Sequence, residues 1–216
     1  MTVLAHAMIA EWPVVGELDG RRTEERTVES DGAQADTRDV QCSRQGDEEA
    51  FRRIVVRHQP AIFRQMWRFS RDPGVQDELV QEVFVQAFLS LRGYRGDAPF
   101  EHWLRRIATR VGYRYWKHEV RDRRRREVLQ QVPVVPASSV EDLSPSGAAE
   151  WLHEFLAQMN PKDRLILTLM YFEECDGAEI VARTGWNSVL VRVRAHRARQ
   201  RLRQLLEQAG VGKESS

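Results

Sequence analysis

A proline- and serine-rich stretch at residues 128–147 interrupts two long segments with helical patterning. It contains three prolines, four serines and one glycine, and no stripe of apolar residues at helical spacing crosses it. This composition is typical of an extended, flexible linker. Because neither flanking segment shows an internal repeat or a series of alternating strands, the sequence predicts an all-α protein with two small helical domains joined by that linker.

Domain boundaries follow from the same changes in pattern. Residues 1–45 have mixed charge and little periodicity, so they are predicted to form a disordered tail. A helical bundle is then expected at residues 46–127 and a helix-turn-helix domain at residues 148–210. The last residues, 211–216, are predicted to form a second disordered tail.

The N-terminal domain shows helical spacing from residue 47 onward, with Pro60 marking a kink or break. The sequence RDPG at 71–74 predicts a turn, and residues 77–91 then predict a strongly amphipathic helix. The loop YRGDAP precedes another long helix, which starts at Phe100 and runs into a block of arginines. The stripe expected to pack inside the 77–91 helix comprises Leu79, Val80, Val83, Ala87 and Leu91.

The C-terminal domain carries the layout of a helix-turn-helix. Asn160 can cap a helix that begins at Pro161. A short helix at about 177–183 is followed by Gly185, which tolerates the positive φ of a tight turn. Asn187 can cap the next helix, which has a packing side expected to comprise Leu190, Val191, Ala195, Ala198, Leu202 and Leu205. A helix presented in this way can enter the major groove of DNA. The alternative is an ordinary helical hairpin with a basic solvent face.

The formal net charge of +1 conceals a strong partition of charge along the chain. Ten basic and three acidic residues lie between Glu101 and Arg126. Seven arginines and no acidic residue lie between Ile180 and Leu206. Two separate basic blocks indicate two contacts with a polyanion, although a single charge run is as often a solvated helix face.

Aromatic rings and cations are concentrated in residues 94–117, which contain six aromatic residues and six Arg or Lys. Successive residues of a helix turn by about 100°, which places Phe100, Leu104 and Ile107 on the core side. The same projection places Tyr113 and Trp116 on the opposite side among cations, where rings can stack on unpaired bases. The alternative for Trp116 is packing against the linker or the other domain. Trp103 lies at the edge of the core side, which suits either role.

Several classes of protein are excluded by what the sequence lacks. Cys42 and Cys175 are the only cysteines, and their separation fits neither a disulfide framework nor a zinc site. No catalytic residue, metal or cofactor is expected, because paired carboxylates, a nucleophile triad and a glycine-rich phosphate loop are missing. The N-terminus lacks the basic region of a signal peptide, and no apolar run approaches the roughly 20 residues that span a bilayer. We therefore expect a cytoplasmic protein without membrane insertion.

Three stretches resemble, in order, a sigma factor of bacterial RNA polymerase of the short extracytoplasmic-function (ECF) type, within the sigma-70 family. They are DELVQEVFVQAF, YRGDAPFEHWLRRIA and LAQMNPKDRLILTLMYFEECDGAEIVARTGWNSVLVRVRAHRAR. The resemblance implies a subunit that directs polymerase to promoters, recognises −35 and −10 elements and helps to melt the DNA. The partners it implies are promoter DNA and core RNA polymerase, through the flap and the clamp helices of the largest subunit. An anti-sigma factor is a further candidate partner.

The same resemblance implies roles for three groups of residues. Polymerase binding is expected of Asp77, Glu78, Gln81, Glu82 and Phe84. Binding and melting of −10 DNA is expected of Gly96, Asp97, Ala98, Pro99, Trp103, Arg106, Arg110, Tyr113, Trp116 and Lys117, with the loop 96–99 forming the pocket for a flipped base. Binding of −35 DNA is expected of Arg192, Val193, His196, Arg197 and Arg199.

The sequence departs from the family pattern on or near both DNA-reading surfaces. Trp186 and Asn187 stand where the family often has a small-residue turn, and Thr109-Arg110 stands where it often has Arg-Asn. The promoter sequence therefore cannot be transferred from the family. The alternative function is a conventional helix-turn-helix regulator that never docks on polymerase, against which the aromatic face and the DELVQEVF helix both argue.

Overall fold

The structure, a computed structural model, describes residues 25–130, 153 and 155–208, with side chains for residues 32–126, 153 and 155–208. All regular structure in these ranges is helical, which confirms the predicted all-α class. The chain forms two compact units, Met1–Ala108 and Thr109–Ser216. The predicted linker lies outside the described residues from residue 131 onward, and its first three residues are still helical.

The first unit begins with a helix that the sequence did not reveal. Helix α1 spans Glu25–Arg44 and packs against helix α2, which spans Glu48–Met66. The prediction of a disordered tail over residues 1–45 is therefore wrong for α1. The reason is that the side of α1 that faces α2 is mostly polar: its buried side chains are Asp36, Asp39, Val40 and Ser43. A search for apolar periodicity does not detect such a helix.

Helix α2 starts at an Asp47 cap, whose side chain accepts from the Ala50 amide at 3.0 Å. It runs through Pro60 without the break that the sequence allowed. Helix α3 spans Pro73–Ser90 and starts at Asp72, whose carboxylate accepts from the Val75 amide, so the predicted turn is shorter than RDPG. The predicted stripe is confirmed, because all of its members are buried: Leu79, Val80, Val83, Ala87 and Leu91.

Helix α4 spans Phe100–Gln130, as the sequence predicted for a long helix starting at Phe100. Its core side is confirmed at Phe100 and Leu104, which are buried, whereas Ile107 is only half-buried. The division between the two units falls inside this helix, and not at the predicted linker. Residues beyond Thr109 belong with the C-terminal helices because Tyr113 and Trp116 contact side chains of that unit.

The second unit contains three further helices: α5 (Pro161–Leu167), α6 (Gly177–Thr184) and α7 (Ser188–Gln208). A π-helical turn at Thr168–Phe172 follows α5 directly. The predicted cap is confirmed, since Asn160 Oδ1 accepts from the amides of Lys162 and Asp163. Helix α7 packs against α5 and α6 around an apolar cluster that comprises Phe155, Leu156, Met159, Leu167, Ala198 and Leu205.

None of the helices in the described ranges is both long and apolar enough to cross a membrane.

Candidate polymerase and DNA interfaces

The outer edge of α3 carries the residues predicted to bind polymerase. Asp77 and Glu78 are exposed, and Gln81 and Glu82 are half-buried. Glu82 Oε1 accepts from Gln86 Nε2 at 3.1 Å, which holds this carboxylate along the helix surface. The contact expected of Phe84 is contradicted, because its side chain is 0% exposed and lies in the core of the first unit. The acidic edge is thus present without the aromatic contact.

The loop before α4 has a fixed turn. Gly96 has a φ of +82°, a backbone conformation that residues with a Cβ seldom adopt. The Tyr94 hydroxyl donates to the carbonyl of Ala98 at 2.7 Å and closes the loop on itself. The predicted pocket residues Gly96, Asp97, Ala98 and Pro99 are all exposed. This part of the loop is therefore accessible to a ligand.

An aromatic cluster supports this loop from one side. The ring of Trp103 lies 5.3 Å from both Tyr94 and Phe100, measured between centroids. Trp103 is half-buried, whereas Phe100 is buried, so the cluster has a covered base and an accessible edge. Burial raises the pKa of the Tyr94 hydroxyl, so this residue stays neutral and remains a donor to the loop at physiological pH. The geometry suits a rigid platform for an unpaired base.

The loop also borders a groove of about 1080 Å³ that runs between α1 and α2. Its basic lining comprises Arg44, Arg57, His58, Arg95 and His102, and its acidic lining comprises Asp36, Asp97 and Glu101. The wall contributed by α1 was missed in the sequence, because α1 itself was missed. A groove with both charge types and a neighbouring aromatic cluster can hold a base and its phosphate.

A partly buried ionic network joins α1 to α2 beside this groove. Its carboxylates, Asp36 and Asp39, are buried, whereas Arg57 is half-buried and Arg53 is exposed. Arg57 donates to both Asp36 and Asp39, with a distance of 2.6 Å from Nη2 to Asp39 Oδ2. His58 Nε2 lies 2.9 Å from Asp36 Oδ1, and Arg53 Nε donates to Asp39 Oδ1 at 2.9 Å. Although burial alone raises the pKa of Asp39, hydrogen bonds from Arg57 and Arg53 hold it below its ordinary value. Breaking such a network leaves buried charges without compensation, so it fixes the position of α1.

The distal half of α4 differs from the prediction at Trp116. Its side chain is 1% exposed and lies beneath the guanidinium of Arg164, whose Cζ is 3.9 Å from the ring centroid. The outward orientation predicted for Trp116 is therefore wrong, and its alternative, packing, is what the structure shows. At about 100° per residue Thr109 projects on the same side of α4, and it is buried as well. The helical projection placed both residues correctly relative to α4 but could not show that a second layer covers that side.

Other members of the −10 group keep an accessible position. Arg106, Arg110 and Lys117 are exposed. Tyr113 is half-buried, with its ring 5.9 Å from that of Trp186 and 5.2 Å from Lys117 Nζ. Burial raises the pKa of the Tyr113 hydroxyl, so it remains neutral at physiological pH.

The helix-turn-helix is built by three local signals. Asp176 and Glu179 form a reciprocal capping box at the start of α6. Gly185 ends α6 with a φ of +73°, as predicted. Asn187 Oδ1 then accepts from the Leu190 amide at 2.7 Å and starts α7, which confirms the predicted cap. Together these signals set the angle at which α7 leaves the turn.

The −35 group is exposed as a set on α7: Arg192, Val193, His196, Arg197 and Arg199. The packing side of α7 is buried at Val191, Ala195, Ala198 and Leu205, and only half-buried at Leu190 and Leu202. Arg194 does not belong to the exposed group. Its side chain pairs with Asp163, with 3.2 Å from Nη1 to Oδ1, and this pair joins α7 to α5. The exposed face has the charge and the accessibility that a duplex requires.

This arrangement of helices and basic faces is that of a promoter-recognition factor with two DNA-binding regions. The profile of Sigma-70 region 2 matches residues 54–126, and the profile of Sigma-70 region 4 matches residues 149–202. The chain belongs to the sigma-70 family of RNA polymerase sigma factors, in its ECF group, and the family's function is to direct the polymerase to promoters. A conventional regulator that never docks on polymerase is not favoured.

Three comparisons illustrate the relationship. RNA polymerase sigma factor CarQ of Myxococcus xanthus is 29% identical over 167 residues, which cover 76% of this chain and 92% of that one. ECF RNA polymerase sigma factor SigE of Mycolicibacterium smegmatis is 30% identical over 157 residues, covering 71% of this chain and 60% of that one. The structure of CnrH in complex with the cytosolic domain of CnrY aligns with a TM-score of 0.54 and 24% identity, covering 81% and 98% of the two chains. That structural likeness supports the fold.

Proposed function

We propose that three surfaces of this chain divide the work of promoter recognition. The acidic edge of α3 docks on core polymerase, the loop before α4 and the accessible side of that helix capture the −10 element, and α7 reads the −35 element. The observation that carries the proposal is the exposure of cationic residues on two separate helices, α4 and α7, within the matched regions 2 and 4. The proposed site of action is the cytoplasm, and the chain has no catalytic site of its own.

Docking on polymerase uses the carboxylates of α3. Asp77 and Glu78 are exposed, while Gln81 and Glu82 border the apolar side of the helix. A row of this kind suits a basic helical partner such as the clamp helices, because opposite charges steer the encounter and fix the register. Phe84 supports the surface from inside and is not a contact.

Capture of the −10 element uses the loop at Gly96 and the rings that border it. Trp103 offers its accessible edge beside the groove, and Tyr113 lies further along α4 between Lys117 and Trp186. Stacking an unpaired base on a ring contributes about 1–3 kcal/mol, which offsets part of the cost of unstacking the duplex. Arg106, Arg110 and Lys117 contact the phosphates. In this scheme Trp116 positions α4 and does not touch DNA.

Transcription with core polymerase tests the proposal. The intact chain is added to core polymerase and genomic fragments, and the promoters used are identified from the transcripts. On such a promoter, Tyr113→Ala should slow open-complex formation about tenfold, in line with the loss of one stacked base, while closed-complex binding changes little. Tyr171→Ala removes an exposed ring outside the proposed interfaces and serves as the matched control.

Two outcomes would contradict the proposal. Failure of the wild-type chain to support promoter-dependent transcription with any core polymerase that binds it would refute the function. Equal permanganate reactivity of promoter thymines with Tyr113→Ala and with wild type would refute the role of Tyr113 alone. The further partner expected from the resemblance, an anti-sigma factor, stays a prediction for this chain.

A further inference from the structure

Helix α7 has two exposed valines, whereas its other exposed side chains are charged or polar. Val189 is 58% exposed and Val193 is 40% exposed. At about 100° per residue, both project roughly opposite Val191 and Ala195, which are buried on the packing side. Being four residues apart, they are neighbours on one face of the helix. They therefore form a small apolar strip that the fold of the second unit does not use.

The strip lies in the part of α7 that a recognition helix presents to base edges. Val189 belongs to the first turn after the Asn187 cap, and Val193 belongs to the next. In helix-turn-helix proteins the N-terminal residues of the second helix contact bases, whereas later residues move away from the groove. Exposed Arg192, His196 and Arg197 flank the strip, and no acidic residue occurs from Ile180 to Leu206. This charge favours a nucleic acid over an apolar ligand as the occupant.

Major grooves offer one apolar group that matches such a strip, namely the 5-methyl group of thymine. We propose that Val189 and Val193 read thymine methyl groups in the −35 element, and that the neighbouring arginines supply the contacts to guanines and phosphates. This inference rests on the function proposed above and adds the base that the strip selects. Valine has no hydrogen-bonding group in its side chain, so removal of the methyl group from the base should abolish its contribution.

Replacement of thymine by deoxyuridine isolates this contribution, because it deletes the methyl group and leaves the base-pairing edge intact. Promoters are first selected from a random library with the holoenzyme formed by the full chain and core polymerase. Each thymine of the selected −35 element is then replaced by deoxyuridine. With the wild-type chain, replacement of the thymine at one or two of these positions should weaken promoter binding about fourfold, as expected when one methyl-sized group returns to water.

The valine variants should remove this response. For Val189→Ala or Val193→Ala, the sensitive thymine should become equivalent to deoxyuridine within about 1.5-fold, because the base methyl has lost its partner. Val56→Ala is the matched control, since Val56 is 59% exposed on α2 in the first unit, and it should retain the wild-type response. A Val189→Ala Val193→Ala double variant should also select −35 elements with less thymine.

The outcomes separate this inference from the function beneath it. If the wild-type holoenzyme selects promoters but tolerates deoxyuridine at every −35 thymine, or selects elements without thymine there, the inference is overturned and the proposed function stands. The inference is likewise overturned if both valine variants keep the full fourfold response. If the wild-type chain selects no promoter at all, the proposed function fails together with the inference.

Discussion

Substitution of Trp116 distinguishes a packing role from a direct DNA contact. The side chain is 1% exposed and stacks against Arg164 at 3.9 Å. A buried tryptophan removes about 150–250 Å² from water, which at about 25 cal/mol per Å² corresponds to roughly 4–6 kcal/mol. Large-to-small changes in cores cost about 3–5 kcal/mol. We therefore expect Trp116→Ala to lower the free energy of unfolding of the second unit by about 4 kcal/mol.

The partner of the ring gives this prediction a second test. Arg164 is buried, and desolvation lowers its pKa to about 10, so it remains a cation at physiological pH and faces the π-system. Trp116→Phe keeps a ring beneath the guanidinium but loses part of its area and the stronger cation–π partner, which together cost about 1–2 kcal/mol. Trp116→Ala should leave this buried cation with one favourable contact fewer. The order of stability is therefore wild type, then Phe, then Ala.

Urea unfolding of the intact chain, followed by far-UV circular dichroism, measures these differences without relying on the fluorescence of the substituted residue. Open-complex formation is measured in parallel, at a temperature where each variant is folded. A packing role predicts that Trp116→Phe restores most of the stability and most of the promoter opening. The reasoning would be refuted if Trp116→Ala changed stability by less than about 1 kcal/mol yet slowed opening as much as Tyr113→Ala, because a side chain with those properties contacts DNA.

Two further predictions concern the ionic network between α1 and α2 and the turn at Gly185. Arg57→Ala leaves the buried carboxylates Asp36 and Asp39 short of a cation and should cost about 3 kcal/mol at pH 7, against at most about 1 kcal/mol for the exposed pair partner Arg52→Ala. The folded-state pKa of Asp39 is lowered, so its stabilising contribution is present above its unfolded-state pKa of about 4 and is lost as the pH falls through the folded-state pKa. The urea midpoints of wild type and Arg57→Ala should therefore converge below about pH 4. An unchanged difference between the two midpoints at about pH 3 would contradict this. Gly185→Ala forces a Cβ into a φ of +73° and should destabilise the second unit by about 1 kcal/mol. Gly177→Ala, where a Cβ meets open space and φ is not positive, should be neutral, and equal effects of both substitutions in thermal unfolding would rule out strain at the turn.

Local signals in the sequence were sufficient for most of the helices and their ends. Asn160, Gly185 and Asn187 each perform the capping or turn role predicted for them, because such signals act within four residues of chain. The stripe from Leu79 to Leu91 was equally predictable, since apolar periodicity and burial coincide on a helix packed by one side. The −35 group on α7 was implied by the family resemblance, and its exposure agrees with that expectation.

The wrong predictions share a physical cause: the features that they missed depend on contacts with residues distant in the sequence. Helix α1 faces α2 through Asp36 and Asp39. Their partners Arg53 and Arg57 lie on α2, 14 to 21 residues further along the chain. Phe84 is buried because α3 is covered on more than its main stripe, and Trp116 is buried because Arg164 lies over it. A helical projection gives the direction of a side chain from its own axis. It carries no information on whether another layer lies in that direction.

The arginines show how this limitation affects a functional conclusion. Within its own block, α7 has no acid before Glu207, yet Arg194 pairs with Asp163, 31 residues away in sequence, and Arg183 lies 3.1 Å from Glu173. On α4, Arg105 is tied to Glu101 at 2.6 Å. These cations are already paired with carboxylates of the chain, so a count of arginines in a window overstates the phosphate contacts a protein can make. The proposed −35 surface therefore consists of the residues of α7 that remain exposed away from its packing partners, and the two valines are among them.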